Sequence, residues 1–260
     1  MEENWEIYPC LIEDEIAIVA VDLARLEGAP LATHPLRLEV RVPLRVPDED
    51  GLAGEEEMTD LLGIESQLFA DLAESSGALA LGHVTTRGER VWYFQVAKAS
   101  GLDAAVAESL EDAEGYVPSI TAVDDPEWEL YRGLLVPEPL EFQSIQNRRM
   151  CSTLLEHGDD LQLPRVVTHW AFFPTEEERA RFRGAVEGQG FATHDDRLPE
   201  DEEGNPQPLE IEGELCLCFE RKDSVDVAQV DELVLPLFEL AEQCGGRYDG
   251  WETTVEGLAS

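Results

Sequence analysis

Apolar residues recur along this chain at spacings that alternate between those of strands and those of helices. Trp5 to Ile12 and Ile16 to Leu23 read as β-runs flanking the acidic turn Glu13-Asp14-Glu15, an opening hairpin. Leu36, Leu38, Val40 and Val42 then alternate with Arg37, Glu39 and Arg41, the period of a half-buried strand, which is read to extend to Val46. Leu61, Leu62, Ile64, Leu68, Phe69 and Leu72 fall at three- and four-residue spacings and predict a helix ending near Gly77. Two strands, Ala78 to Thr86 and Arg90 to Ala97, flank the tight turn Arg87-Gly88-Glu89. A short helix at Leu102 to Leu110, a strand at Tyr116 to Val123 and an apolar piece at Trp128 to Val136 complete an α+β unit, which Pro137 and Pro139 punctuate.

Leu140 to His157 reads as one helix stopped by Gly158-Asp159-Asp160. Beyond it the order is strand Val166 to Phe173, helix Glu176 to Glu187, strand Phe191 to His194, strand Leu209 to Glu220, helix Val227 to Cys244 and strand Arg247 to Thr254. That βαββαβ order is the split pattern of ferredoxin-like domains. Local signals agree: Thr175 with Glu178 forms a capping-box pattern, Gly188 can end the first helix, and Asp226 can cap the second, where Pro236 is expected to introduce a kink. The expectation is an α+β protein of two domains: 1–137, then a connector helix and linker at 138–164, then a ferredoxin-like domain at 165–260. Asp195 to Pro208 is rich in acid, Gly and Pro and reads as an exposed, mobile loop.

Composition narrows the function. With 260 residues, 43% of them hydrophobic, the chain can bury a proper core. No window approaches the roughly 20 apolar residues of a membrane helix, the N-terminus lacks a signal peptide's basic and apolar stretches, and five scattered cysteines suit free thiols. A cytoplasmic location is therefore expected. The 57 acidic residues against 18 basic ones give a formal charge of -39. Phosphates are repelled by such a field, which disfavours nucleic acid, whereas a protein with a basic surface is attracted. The competing explanation is that a salt-adapted or GC-rich organism acidifies most of its proteins.

A sharper signal lies in Asn147-Arg148-Arg149, Leu154-Leu155-Glu156-His157-Gly158-Asp159, the β-run around His169, Leu240-Ala241-Glu242 and above all Tyr248-Asp249-Gly250-Trp251. From about Phe142 onward the chain resembles the regulator of ribonuclease activity B family, protein inhibitors of ribonuclease E. The resemblance implies a ferredoxin-like domain that binds a ribonuclease and tunes RNA turnover without touching RNA. Trp5, Gly82-His83-Val84-Thr85 and the strand Arg90 to Phe94 make the first part similar to the family catalogued as domain of unknown function 695, a name that carries no activity.

Candidate sites follow. Tyr248, Asp249 and Trp251 are proposed partner contacts, Tyr and Trp being favoured interface anchors. The alternative is that Gly250 sets a turn or bulge and Trp251 packs on the last helix. Asp201, Glu202 and Glu203, with their acidic neighbours in the loop, could dock on an arginine-rich segment. Cys216 and Cys218 share a strand face and read as small core residues or as soft-metal ligands. His34, His83, His157, His169 and His194 are dispersed, with no metal-ligand spacing, and no nucleophile elbow or phosphate-binding glycine loop is present, so neither catalytic residue, metal nor cofactor is expected. Two rival classes stay open: an enzyme with a cleft near His83, Trp92 and Tyr93, and an oligomer-forming structural protein.

Overall fold

The computed structural model describes residues 3–194 and 213–257. The chain divides into two compact units, Met1–Pro137 and Glu138–Ser260.

The first unit opens with β1 (Trp5–Ile12) and β2 (Glu15–Asp22), joined by Glu13 and Asp14 at φ 51° and 68°. Two consecutive positive φ values match the right-handed twist of the strands they connect. After a 3-10 turn at Leu23–Glu27 come β3 (Leu36–Pro43), α1 (Glu55–Ser76), β4 (Leu79–Thr86), β5 (Glu89–Val96), α2 (Leu102–Ser109) and β6 (Ser119–Asp124). Every pairing is antiparallel, in the order β1-β2-β4-β5-β3-β6. β2 and β4 approach so closely that a Cβ on Gly82 would lie 2.0 Å from the Ala20 carbonyl oxygen.

The strand expected to run to Val46 stops at Pro43. The Arg45 and Val46 amides leave the ladder and donate to the buried Glu57 carboxylate at 2.5 and 3.1 Å. That carboxylate and its neighbours Glu55 and Glu56 also place negative charge on the first turn of α1, where the helix dipole favours it. Leu61, Ile64, Leu68 and Leu72 of α1 bury against Leu38, Val40, Trp92 and Phe94 of the sheet. β6 begins at Ser119 rather than Tyr116, because Tyr116 closes a turn onto Ala113 and Pro118 has no N–H to give a ladder. Within the apolar piece Trp128 to Val136, residues 129–135 are helical, ending in a π-turn at Tyr131–Leu135 whose following Val136 N–H reaches back to the Tyr131 carbonyl at 2.9 Å. It covers the sheet face opposite α1: Tyr131 donates to the Asp22 carbonyl at 2.7 Å and Tyr8 to the Leu135 carbonyl at 2.9 Å.

The second unit runs α3 (Pro139–Glu156), β7 (Arg165–Phe173), α4 (Glu176–Gly188), β8 (Ala192–His194), β9 (Leu215–Asp223), α5 (Val227–Gln243) and β10 (Arg247–Thr253). The sheet order β10-β7-β9-β8, all antiparallel, with α4 and α5 against it, makes this a ferredoxin-like domain. Thr175 accepts from the Glu178 amide and Asp226 from those of Ala228 and Gln229, so both helices start at the caps read from sequence. α5 continues through Pro236 to Gln243. The long strand expected from Leu209 is β9 from Leu215; 209–212 lie outside the described residues. α3 packs on α5 as a third helix of this unit. Cys151, Val167, Phe173, Phe182, Phe219, Val234 and Trp251 are among the residues of its core.

Candidate functional site

The residues carrying the family resemblance meet where α3, α5 and β10 join. A regular strand would send Tyr248 and Trp251, three positions apart, to opposite faces. The register of β10 on β7 instead shifts between Tyr248 and Gly250, and Gly250 takes φ +126°. This bulge turns both aromatic side chains into the helix-covered core and leaves Asp249 exposed between them.

Each inward group finds a polar partner. Trp251 Nε1 donates to Asn147 Oδ1 at 2.9 Å, and the Asn147 amide donates to Asp231 Oδ1 at 2.7 Å. Ser144 donates to the other Asp231 oxygen at 2.5 Å and accepts from Arg148 at 2.9 Å. Asn147 has no exposed surface, so this chain of bonds is the polar seam between α3, α5 and β10. One strand away, the Tyr248 hydroxyl lies 2.7 Å from His169 Nδ1, and the His169 ring stacks on Phe219 at 5.1 Å. Burial, helped by the Arg221 charge, lowers the His169 pKa to about 3, and the ring stays neutral. Burial, and then the Asp249 charge, pushes the Tyr248 hydroxyl well above its ordinary value.

A second lock ties the end of α3 to the C-terminal segment. Arg165 and Asp159 form a buried ion pair at 2.5 Å, and Asp159 also accepts from the Glu256 amide at 2.7 Å. Burial opposes ionisation of Asp159, but the bonds from Arg165 and the Glu256 amide, with the Arg165 charge, hold its pKa below the ordinary value.

Of the expected partner contacts, Tyr248 and Trp251 are thus interior, and Asp249 carries its carboxylate at the surface. There it pairs with Arg247, which also bonds Glu214 at 3.1 Å and lies over the Phe172 ring at 4.3 Å. Asp201, Glu202 and Glu203 lie outside the described residues. Cys216 and Cys218 pack with Trp170 and Phe172 on the sheet face away from the helices, and burial, then its neighbours' charges, raises the Cys216 thiol to about 12. No group of three or more His, Cys, Asp or Glu is placed to hold a metal ion among the described residues.

The cleft imagined near His83, Trp92 and Tyr93 is closed. All three are buried; His83 Nδ1 sits 2.5 Å from Glu65 Oε2, and Trp92 Nε1 donates to the same oxygen at 2.7 Å. Cross-strand pairing of His83 with Trp92 puts both under α1, and Tyr93 points to the other face. Open volume in this unit lies elsewhere, in a groove of about 780 Å³ between α1 and α2 bordered by Asp60, Gly63, Glu108 and Asp112.

Sequence reasoning missed Asp231, Ser144 and Arg165. Asn147 could have flagged the seam, as an amide three positions from Ser144 and four from Cys151 on the inward side of α3.

The fold and site define two classes in series: a six-stranded antiparallel α+β domain and a ferredoxin-like domain whose helices are tied to its last strand by buried polar bonds. The chain belongs to the family of unknown function DUF695, whose model matches residues 3–136, over half its length. Residues 144–253 match the regulator of ribonuclease activity B, giving that domain at the C-terminal side. A search among curated proteins found no match. Among solved structures, the crystal structure of an unknown protein from Galdieria sulphuraria aligns over 85% of this chain and 99% of its own, at 13% identity and a TM-score of 0.22. No helix among the described residues is long and apolar enough to cross a membrane.

Proposed function

We propose that this chain is a protein-binding regulator that modulates a ribonuclease, and through it RNA turnover, by contact between its second unit and a basic surface on the enzyme. The match of residues 144–253 to a regulatory rather than an enzymatic family carries this reading. The net charge of -39 supports it, since that field attracts a basic protein and repels RNA. Asp249 is the contact residue offered by the bulge, and Asp201, Glu202 and Glu203 are proposed to add salt-sensitive contacts. Tyr248 and Trp251 serve the contact by holding the bulge in shape.

The test is cleavage of a short fluorogenic RNA by purified ribonuclease E with increasing amounts of the chain, at low and raised salt. The expected result is a fall in rate that salt relieves, weakened by Asp249→Asn and by the triple change Asp201→Asn, Glu202→Gln and Glu203→Gln. A folded wild-type chain that leaves the rate untouched at low salt would overturn the proposal.

A further inference from the structure

The β1–β2 hairpin is covered on one face; on the other, Ala20 and Asp22 are buried beside Trp5, and the face is largely bare towards the tip. Tyr8, Ala17, Val19 and Val21 are buried on the side of the π-turn. On the side of α1, Ile7 is 63% exposed, Leu11 69% and Ile16 40%. The register pairs Leu11 with Ile16 and Pro9 with Ile18, so these side chains share a face with Trp5, which stacks on Phe69 of α1 at 5.7 Å. The layer of helices therefore stops at the flank of α1. That flank carries Met58, Leu62, Glu65 and Phe69 at helical spacing, and Leu62 is 50% exposed.

The bare strip has the dimensions of one more helix. Two strands about 4.8 Å apart present a band roughly 10 Å wide, the diameter of a helix, and from Ile7 to Ile12 β1 spans about 20 Å, or some thirteen helical residues. Strand addition is the other way to use an edge, and Pro9 opposes it. In a hairpin closed by a two-residue turn, the flanking pair Ile12 and Glu15 exchanges ladder bonds, so the amide positions of Trp5, Ile7, Pro9 and Leu11 face outward. Pro9 leaves the middle of that edge without a donor.

Charge selects the occupant. A second copy would bring another -39, and the hairpin tip beside the strip is acidic and exposed at Glu13, Asp14 and Glu15, with Arg87 pairing only Glu13. An apolar strip with an acidic rim fits a helix that is apolar on one side and basic on the others.

We infer that the α1-side face of the β1–β2 hairpin is a docking surface for such a basic amphipathic helix of a partner protein. It lies in the first unit and stands independently of the ribonuclease reading of the second.

The probe is a synthetic eighteen-residue peptide (~27 Å as a helix), leucine on one face and lysine and arginine on the other, with a scrambled peptide of equal composition. Both are titrated into the full chain by fluorescence anisotropy. Ile7→Glu with Leu11→Glu removes the apolar strip but adds negative charge, so simple charge attraction predicts equal or tighter binding. Docking predicts at least a tenfold loss for the amphipathic peptide, and weaker binding of the scrambled one to the wild type. Val46→Glu with Val117→Glu makes the same charge change at exposed apolar residues elsewhere in the unit and is expected to leave affinity unchanged or raised. Thermal melts check that both doubles fold. The inference falls if the two double variants bind alike, if the scrambled peptide binds as well, or if the wild type binds neither.

Discussion

Replacing Asn147 by Ala tests whether the seam between α3, α5 and β10 holds the bulge in place. The change removes the acceptor for Trp251 Nε1 and the donor to Asp231 while leaving both partners in position. An orphaned buried N–H costs about 1–3 kcal/mol and a lost hydrogen bond to a charged group about 1.5–3 kcal/mol. The two losses share one site and do not simply add, so the expected cost is about 3–4 kcal/mol. That is a large fraction of the roughly 5–15 kcal/mol that holds a domain folded.

The readout must isolate the second unit, since a chain of two units need not unfold in one step. Native-state hydrogen exchange of the β7 and β10 amides in the full chain does so. Trp251→Phe supplies the control, because it removes the donor that Asn147→Ala would orphan. In that background the Asn147 change is expected to cost about 1–2 kcal/mol less, the coupling typical of residues in one network. A cost under about 1 kcal/mol for Asn147→Ala, or an equal cost in both backgrounds, would refute the argument that Trp251 is held by this bond.

Two further outcomes follow from burial. The His169 pKa falls from 6.5 in the unfolded chain to about 3 in the fold, so the unfolded state binds the extra proton first as pH drops. Relative to His169→Gln, the wild type should hold its stability above pH 6.5 and lose it progressively as pH falls towards 3, by up to about 1.4 kcal/mol per pH unit; parallel curves in acid denaturation would contradict this. Of the five thiols, only Cys10 is partly exposed, and burial raises Cys151 to about 11 and Cys216 to about 12. A thiol titration at pH 8 should therefore show one fast group and release the other four only in denaturant, and rapid labelling of Cys216 or Cys218 would overturn their placement.

Local chemistry made the element order legible, because each signal was satisfied within a few residues. Thr175 and Asp226 cap the helices they precede, and Glu13 and Asp14 close a two-residue turn. What stayed hidden depended on partners distant in sequence. Nothing in Arg45 or Val46 says that Glu57 will take their amides from the sheet, and nothing in Trp128 to Val136 says that its carbonyls and hydroxyls will bond β1 and β2. The Tyr-Asp-Gly-Trp segment shows the division most clearly. Its glycine signalled a bulge, but only α3, more than ninety residues earlier, decides that Trp251 points inward, through Asn147. The residues by which the second unit resembles its family are therefore largely those that fix β10 and the C-terminal segment to the rest of the domain: Asn147, Asp159, His169, Tyr248 and Trp251. They report a framework. Under the proposed function, the partner would be chosen by side chains that the framework leaves outside, such as Asp249, and an acidic surface of this density offers many such carboxylates. The motif thus specifies where a contact can be built, and recognition must be tested at Asp249 and its acidic neighbours rather than at the aromatic residues that mark the family.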